Sequence, residues 1–575
     1  MVLGGLLAVS PAPVGAAPLS GQPFAAFGSG AGVITNALTL GTTTVANTEA
    51  AFSGGAVNSQ GLNTTLVNEL GINVAAPTPG KNALGRGSAL ELGLVTATPQ
   101  PTTLNQLLLT ALAVATAPPP SVSTPADITL NLDPVAYAST LRGRAAANYD
   151  PAFCPVGRPL TYGQGYAENL ELVNGGGVDA SGSFAAPLLG TSTSVGNPRA
   201  TTQSRTVTYV VPNGDGTFGV VSETRQTVAP ISLLSTVPGT SLVVEIAGEF
   251  GLRAVATGKP GGASVTNLGN PVLTISSVVA GIPVPVVGPI TLNQIVGAAG
   301  LTVDLSPLLV VSAGAPPRDL GGALGTLPVL DTAGGTSAKG AVDFVRLGLL
   351  AGLPGLTGVD LRLGHMEAAV SVPAGGLRCD IPVAKVASVD PVTVGNDFTF
   401  TITIPSDAAL FNSLFNCDLV GISAVDTVET VSGTPRIQLL SASNGGVISG
   451  NKVTWANLGT YVLGQPPITL TINARIPTNS GAGVLRDTVD VSATLGNCRG
   501  GAFGEDIING TGTITGAAQL NGGTITGRVV LAGPNVSRGD LAATGGNSWP
   551  LVAGGGFMLA ALGLVRLRRR VTEVS

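Results

Sequence analysis

Three observations in the 575-residue sequence predict an all-β chain. Hydrophobic residues make up 44% but aromatics only 4%, so the apolar content is mostly Ala, Val, Leu and Ile, with Thr and Val recurring throughout. Gly (82) and Pro (41) punctuate the sequence at short intervals, as tight turns between short strands require. Strict two-residue alternation recurs, most clearly at Phe398, Phe400, Ile402 and Ile404 between Thr399, Thr401 and Thr403. The expected order is a leader over 1–16, a large β-rich region over 17–376, an immunoglobulin-like β-sandwich over 377–498, a Gly-rich stalk over 499–540 and a terminal segment over 541–575. That terminal segment holds a transmembrane helix over 549–567.

The leader reads MVLGGLLAVSPAPVGAAP. Val2–Val9 form a short apolar core. Val14 and Ala16 place small residues at the −3 and −1 positions of a signal-peptidase site, so cleavage is expected between Ala16 and Ala17. No Lys or Arg precedes the apolar core, and a basic segment is expected upstream of Met1.

Residues 17–376 show no repeat. The apolar stretch from Pro271 to Val311 is cut by Pro283, Pro285 and Pro289, which excludes a membrane helix there. Thr206–Val211 and Thr217–Thr227 are predicted to pair as a hairpin. Asn213-Gly214-Asp215-Gly216 supplies the turn, a better reading of those residues than a calcium loop. Leu104–Thr116 (LNQLLLTALAVAT) is the best candidate helix.

Seven strands are expected in the sandwich. Besides the Phe398 set, Ile468, Leu470, Ile472, Ala474 and Ile476 alternate, as do Val489, Val491, Ala493 and Leu495. Shorter strands fit at Val383–Ser388, Leu419–Val425, Ile437–Ser441 and Lys452–Trp455. The cysteines Cys154, Cys379, Cys417 and Cys498 suit an oxidising compartment. Three pairings are open, and the sequence does not select among them. If Cys379 and Cys417 sit at one end of the sandwich and Cys498 at the other, Cys379 pairs with Cys417 and Cys154 with Cys498. The competing schemes are Cys417–Cys498 with Cys154–Cys379, and Cys379–Cys498 with Cys154–Cys417. Some Gram-positive surface sandwiches join a first-strand Lys to a last-strand Asn or Asp by an isopeptide bond; Lys385 and Asn497 are the candidate pair here. Residues 499–540 carry Gly-Thr-Ile-Thr-Gly twice, at 512–516 and 523–527, which fits an extended or weakly β-structured stalk. Arg538-Gly539-Asp540 at its end is read as chance.

The terminal segment reads Leu541-Ala542-Ala543-Thr544-Gly545, then an uncharged stretch from Trp549 to Val565, then Arg566, Arg568, Arg569 and Arg570. A helix over Trp549–Leu567 would be roughly 28 Å long, one hydrocarbon core. The arginines would stop translocation on the cytoplasmic side. The order of pentapeptide, apolar span and basic tail resembles the Leu-Pro-x-Thr-Gly cell-wall sorting signals of Gram-positive surface proteins. With Ala542 in place of Pro, it is similar to the form used by class E sortases of high-GC species. The resemblance implies a sortase, of class E, and peptidoglycan as partners. A sortase thiolate would attack the Thr544 carbonyl and release Gly545 onward, and a cell-wall amine would resolve the acyl-enzyme. Loss of residues 1–16 and 545–575 removes four Arg and one Glu, taking the net charge from −5 to −8. Lys81-Asn-Ala-Leu-Gly-Arg-Gly-Ser88, Tyr162-Gly-Gln-Gly-Tyr-Ala-Glu-Asn169, the three-cysteine sandwich and the sorting signal together resemble the actinobacterial choice-of-anchor G surface proteins. That resemblance covers most of the chain and implies surface attachment with no known activity.

The chemistry-bearing residues are sparse. His365 is the only histidine, which excludes a multi-His metal site, and it is read as a surface or strand-end residue. No Gly-x-Ser-x-Gly elbow, zinc-spaced cysteine pair or phosphate-binding Gly-Lys-Ser/Thr loop occurs. No Lys/Arg cluster precedes residue 566, so nucleic acid is excluded as a partner. After processing Trp455 is the remaining tryptophan, and it lies in a predicted strand, which lowers the prospect of an aromatic carbohydrate platform. No cofactor is expected. The reading is a non-enzymatic, wall-anchored display protein with an unknown surface ligand and an adhesive or structural role. The alternative is a wall-bound hydrolase using a carboxylate pair that spacing does not reveal.

Overall fold

Alternating inward and outward side chains sort the chain into antiparallel sheets. The computed structural model describes residues 19–537 except 37–38, 41–42, 45–46, 63–79, 95–104, 133–135, 152–153, 175–186, 234–241, 280–281, 292–293, 295–300, 306–308, 314–327, 350–355, 358 and 499–521. The chain is all-β, as its composition predicts. The leader, the sorting pentapeptide Leu541–Gly545, the apolar span, Arg566, Arg568, Arg569, Arg570 and the Arg538-Gly-Asp triplet lie outside the described residues. Among the described residues no helix is long and apolar enough to cross a membrane.

Two large sheets build the part before residue 378. At the centre of the first, Ala25–Asn36 lies between Val359–Ser371 and Asn47–Asn58, followed outward by Ala83–Leu94. At the centre of the second are Ala136–Ala147, Thr161–Glu168, Thr201–Pro212 and Thr217–Thr227. The last two form the expected hairpin, closed in register from Gln203↔Thr227 to Pro212↔Phe218.

These sheets meet through small residues. A Cβ on Gly28 or Gly30 would fall 2.4–2.5 Å from Ser222 Oγ, Gln226 Nε2 or the Thr224 methyl of the facing sheet. Hydroxyls line the seam: Ser53 Oγ lies 2.7 Å from Ser204 Oγ and 2.8 Å from Thr206 Oγ1 across it, and Thr161 Oγ1 lies 2.6 Å from Thr208 Oγ1 within the second sheet. Burying these hydroxyls is tolerated because each of them bonds another.

Leu104–Thr116 is not a helix. Asn105–Thr110 and Ala113–Ala117 are strands, both paired to Ala83–Leu94, with Ala111 at φ +50° between them. Helix propensity is a weak preference, and an available sheet edge overrides it.

After Leu377–Arg378, which still pairs with Thr217–Phe218 of the second sheet, the chain enters a two-sheet sandwich. One sheet runs Ala384–Ala387, Asp397–Ile404, Ile468–Arg475, Gln438–Ala442. The other has Thr524–Ser537, Gly483–Gly496, Asp418–Gly433 and Lys452–Trp455 in that order. Phe398, Phe400, Ile402 and Ile404 are buried at alternate positions, facing Val489, Val491 and Trp455 in the shared core. A short helix, Ala408–Leu414, starts on the side chain of Asp407, which accepts from Leu410 N.

Two expectations change here. Thr524–Ser537, read as stalk, is a strand paired with Gly483–Gly496 from Thr494↔Thr524 to Gly483↔Val536. The second Gly-Thr-Ile-Thr-Gly repeat thus begins a sandwich strand. The disulfides are Cys154–Cys379 and Cys417–Cys498, not Cys379–Cys417 and Cys154–Cys498. The reason is strand direction. Asp418–Gly433 and Gly483–Gly496 are antiparallel neighbours with Asp418 opposite Gly496. The chain entering one strand at Cys417 therefore lies beside the chain leaving the other at Asn497 and Cys498. Cys154–Cys379 ties the loop after Ala136–Ala147 to the entry of the sandwich, where Asn416 N also donates to Val156 O at 3.0 Å.

Candidate functional site

His365 sits in the middle of Val359–Ser371 and is 1% exposed, not at the surface or a strand end. In the antiparallel ladder it lies opposite Ala31 on one side and Asp343 on the other. Directly opposed residues share a face, as do positions two apart, so Asp343, His365 and Glu367 point together. His365 Nδ1 lies 2.5 Å from Asp343 Oδ1, and Nε2 lies 2.9 Å from Glu367 Oε1. With both carboxyls ionised, each ring nitrogen faces an acceptor and carries an N–H, which is the imidazolium. Burial alone would pull the imidazole pKa down, but Asp343 and Glu367 overcome it and push it up to about 10.

The adjoining strands extend this cluster. Glu49 and Glu91 are directly opposed across Asn47–Asn58 and Ala83–Leu94. Arg86 Nη2 donates to Glu91 Oε1 at 2.6 Å, and its guanidinium carbon lies 5.1 Å from the centre of the Phe52 ring. Burial, then the neighbouring Glu91, hold the Glu49 carboxyl well above the usual carboxylate range. The cluster is a buried network in which the His365 imidazole and the Arg86 guanidinium lie among the carboxyls of Asp343, Glu367, Glu91 and Glu49. A Ser–His–Asp relay needs one free imidazole nitrogen for the nucleophile, and here carboxylates occupy both. Among the described residues no group of three His, Cys, Asp or Glu is placed to hold a metal ion.

A second buried cluster lies inside the sandwich. Lys385, on Ala384–Ala387, is fully buried, and its Nζ contacts Oδ2 of both Asp426 and Asp487 on the facing sheet. The same Nζ lies 4.3 Å from the centre of the Phe400 ring. Burial raises the Asp487 pKa to about 7; Lys385 opposes the rise and Asp426 adds to it. Asn497, the partner expected for Lys385, instead donates from Nδ2 to Asp418 Oδ2 at 2.9 Å. It ends the Gly483–Gly496 strand, ten residues beyond Asp487 and so far along the sandwich from the lysine. Neither aspartate was legible as a partner. Both sit at inward positions of strands otherwise lined by Val, Ala, Leu and Ile, and that violation of the pattern is the one signal the sequence holds.

Other sequence candidates fall into structural roles. Asn213–Gly216 is the hairpin turn: Gly214 and Gly216 have φ +85°, and Asp215 pairs with Lys259 at 2.7 Å. Trp455 is buried, its Nε1 donating to Ser443 O at 2.8 Å. An open cleft lined by Asn58, Gln60, Lys81, Asn82 and Tyr149 lies at the strand ends of the two large sheets, and among the described residues no carboxylate lines it.

No family model and no curated protein matches the chain. Among solved structures, the N-terminal domain of the Streptococcus gordonii adhesin Sgo0707 is 12% identical, with 66% of this chain and 89% of that chain covered and a TM-score of 0.15. A Corynebacterium diphtheriae protein described as membrane anchored is 10% identical, with 89% of this chain and 97% of that chain covered and a TM-score of 0.13. With TM-scores this low, neither likeness defines the fold or function of this chain.

Proposed function

We propose that the chain is exported and displayed at the cell surface, where a sortase of class E joins Thr544 to peptidoglycan, and that it acts there without catalysis, as an adhesive or structural element. The observation that carries this reading is the order of Leu541-Ala-Ala-Thr-Gly545, the apolar span Trp549–Val565 and the arginines 566, 568, 569 and 570. A sortase needs that pentapeptide held at the outer membrane face, and the span and tail would hold it there. Two disulfides support an oxidising, extracytoplasmic setting. The resemblance to choice-of-anchor G proteins points the same way.

A hydrolase would need two carboxylates facing a substrate cleft. Most of the inward acids described here are engaged instead with cations: Asp343 and Glu367 with His365, Glu91 with Arg86, and Glu223 with Arg225, while Glu49 is buried without a hydrogen bond. The reading is tested by fractionating the native host. Wild-type protein should stay in the sodium-dodecyl-sulfate-washed wall and be released by muramidase, and Thr544→Ala should move it to the membrane or the medium. A Thr544→Ala protein that remains wall-linked would overturn the assignment.

A further inference from the structure

The buried lysine of the sandwich is placed for a covalent reaction rather than for an ion pair alone. Lys385 has no exposed surface, and neither have Asp426 and Asp487, so one ammonium and two carboxyl groups share a volume sealed from water. The Oδ1 atoms of both aspartates accept no hydrogen bond. A buried ion pair is favourable only when its remaining lone pairs are satisfied, and here they are not. The ladder explains why the two acids converge: Asp426 faces Val489 and Asp487 faces Val428, so the carboxyls are diagonal neighbours on one inward face. Lys385 reaches them from the opposite sheet, its strand paired with Asp397–Ile404 through Lys385↔Ile402.

We propose that Lys385 and Asp487 form an intramolecular isopeptide bond across the two sheets, with Asp426 carrying the proton. The Lys385 ammonium gives a proton to the Asp426 carboxylate. The resulting amine attacks Cγ of Asp487 in its acid form. A C–N bond forms, the C–OH bond of Asp487 breaks, and Asp426 returns its proton to the departing hydroxyl. The second amine proton passes to Asp426, which ends neutral, and one water leaves. No oxidant or co-reactant is needed, and the aromatic face of Phe400 keeps bulk water from the amine. The elevated Asp487 pKa supports its role as the acid that is attacked rather than the base. The product exchanges two poorly solvated charges for an amide and fastens Ala384–Ala387 to Gly483–Gly496, an arrangement suited to a domain under tension.

Tryptic mapping of the full chain decides the matter, because Lys385 and Asp426 fall within one stretch, Cys379–Arg436, while Asp487 begins another, Asp487–Arg499. The protein is first reduced and alkylated, which removes the Cys417–Cys498 link between the same two peptides. The expected result is Cys379–Arg436, uncut at Lys385, joined to Asp487–Arg499 at a mass one water (about 18 Da) below their sum. Separate peptides at full mass, with cleavage after Lys385, would overturn the proposal. A bond closed within Cys379–Arg436 would overturn the assignment of Asp487. Asp426→Asn should leave the peptides unlinked, and a linked Asp426→Asn protein would remove Asp426 from the reaction. The wild-type map stands without any variant, so a misfolded substitution does not obscure the answer.

Discussion

Gly87 and Gln164 lie so close that a Cβ on the glycine would fall 2.0 Å from the Gln164 carbonyl oxygen. The relation is reciprocated along both strands. A Cβ at Gly85 would lie 2.3 Å from Tyr162 O, at Gly163 2.1 Å from Arg86 O, and at Gly165 2.2 Å from Ser88 O. The two phrases Lys81–Ser88 and Tyr162–Asn169 are thus two halves of one contact, in which glycines of each sheet receive the backbone of the other.

Gly87→Ala is therefore predicted to destabilise the protein by about 1–3 kcal/mol or more, because a carbonyl oxygen cannot rotate away as a side chain can. Gly196→Ala, at a position with nothing within 4 Å, should change stability by no more than about 0.5 kcal/mol. Urea midpoints of the two variants check this; equal midpoints would contradict the close-packed seam.

What the sequence revealed was whatever depends on local period. The Phe398–Ile404 alternation is buried as read, and the Asn213–Gly216 turn closes the hairpin it predicts. What it concealed depends on which strands become neighbours. The cysteine pairing failed because Asp418 lies opposite Gly496, a register no local pattern encodes. His365 looked exposed because its two acids become its partners only when Val359–Ser371 pairs with Ser337–Leu349. Leu104–Thr116 has a helical composition, yet a sheet edge claims it from Asn105 on. The Lys385 cluster was half legible: the lysine was singled out, but the partner read for it, Asn497, lies ten residues beyond Asp487, and Asp426 on the neighbouring strand gave no local sign.

Stability should fall on the alkaline side through His365. Its folded pKa is raised, to about 10, so its contribution is fully present below the unfolded value of about 6.5 and is lost as pH rises through about 10. Glu49, also raised in the folded state, acts in the same direction, its contribution present below the ordinary Glu value and lost on rising pH. His365→Leu removes the buried cation between Asp343 and Glu367, with Arg362 remaining 3.9 Å from Asp343, and is predicted to destabilise by about 3 kcal/mol at neutral pH. Urea midpoints of wild type and variant from pH 6 to pH 10 should converge as pH rises. A constant gap across that window would show that the imidazolium is not the species in the cluster.

Non-reducing peptide mapping should find Cys154 joined to Cys379 and Cys417 to Cys498. Replacing Cys417 and Cys498 together by Ser is predicted to cost about 2–5 kcal/mol of stability, read from thermal or urea unfolding. A Cys379–Cys417 peptide would mean that Asp418–Gly433 and Gly483–Gly496 are not antiparallel neighbours.

Covalent display through Thr544 is tested most directly by the C-terminal peptide of protein released from the native wall by muramidase. Trypsin cuts after Arg538, so the expected peptide begins at Gly539 and ends at Thr544, with the Thr544 carbonyl amide-linked to a peptidoglycan amine. A wall-released peptide that continues through Gly545 into Gly546-Asn547-Ser548 would contradict it.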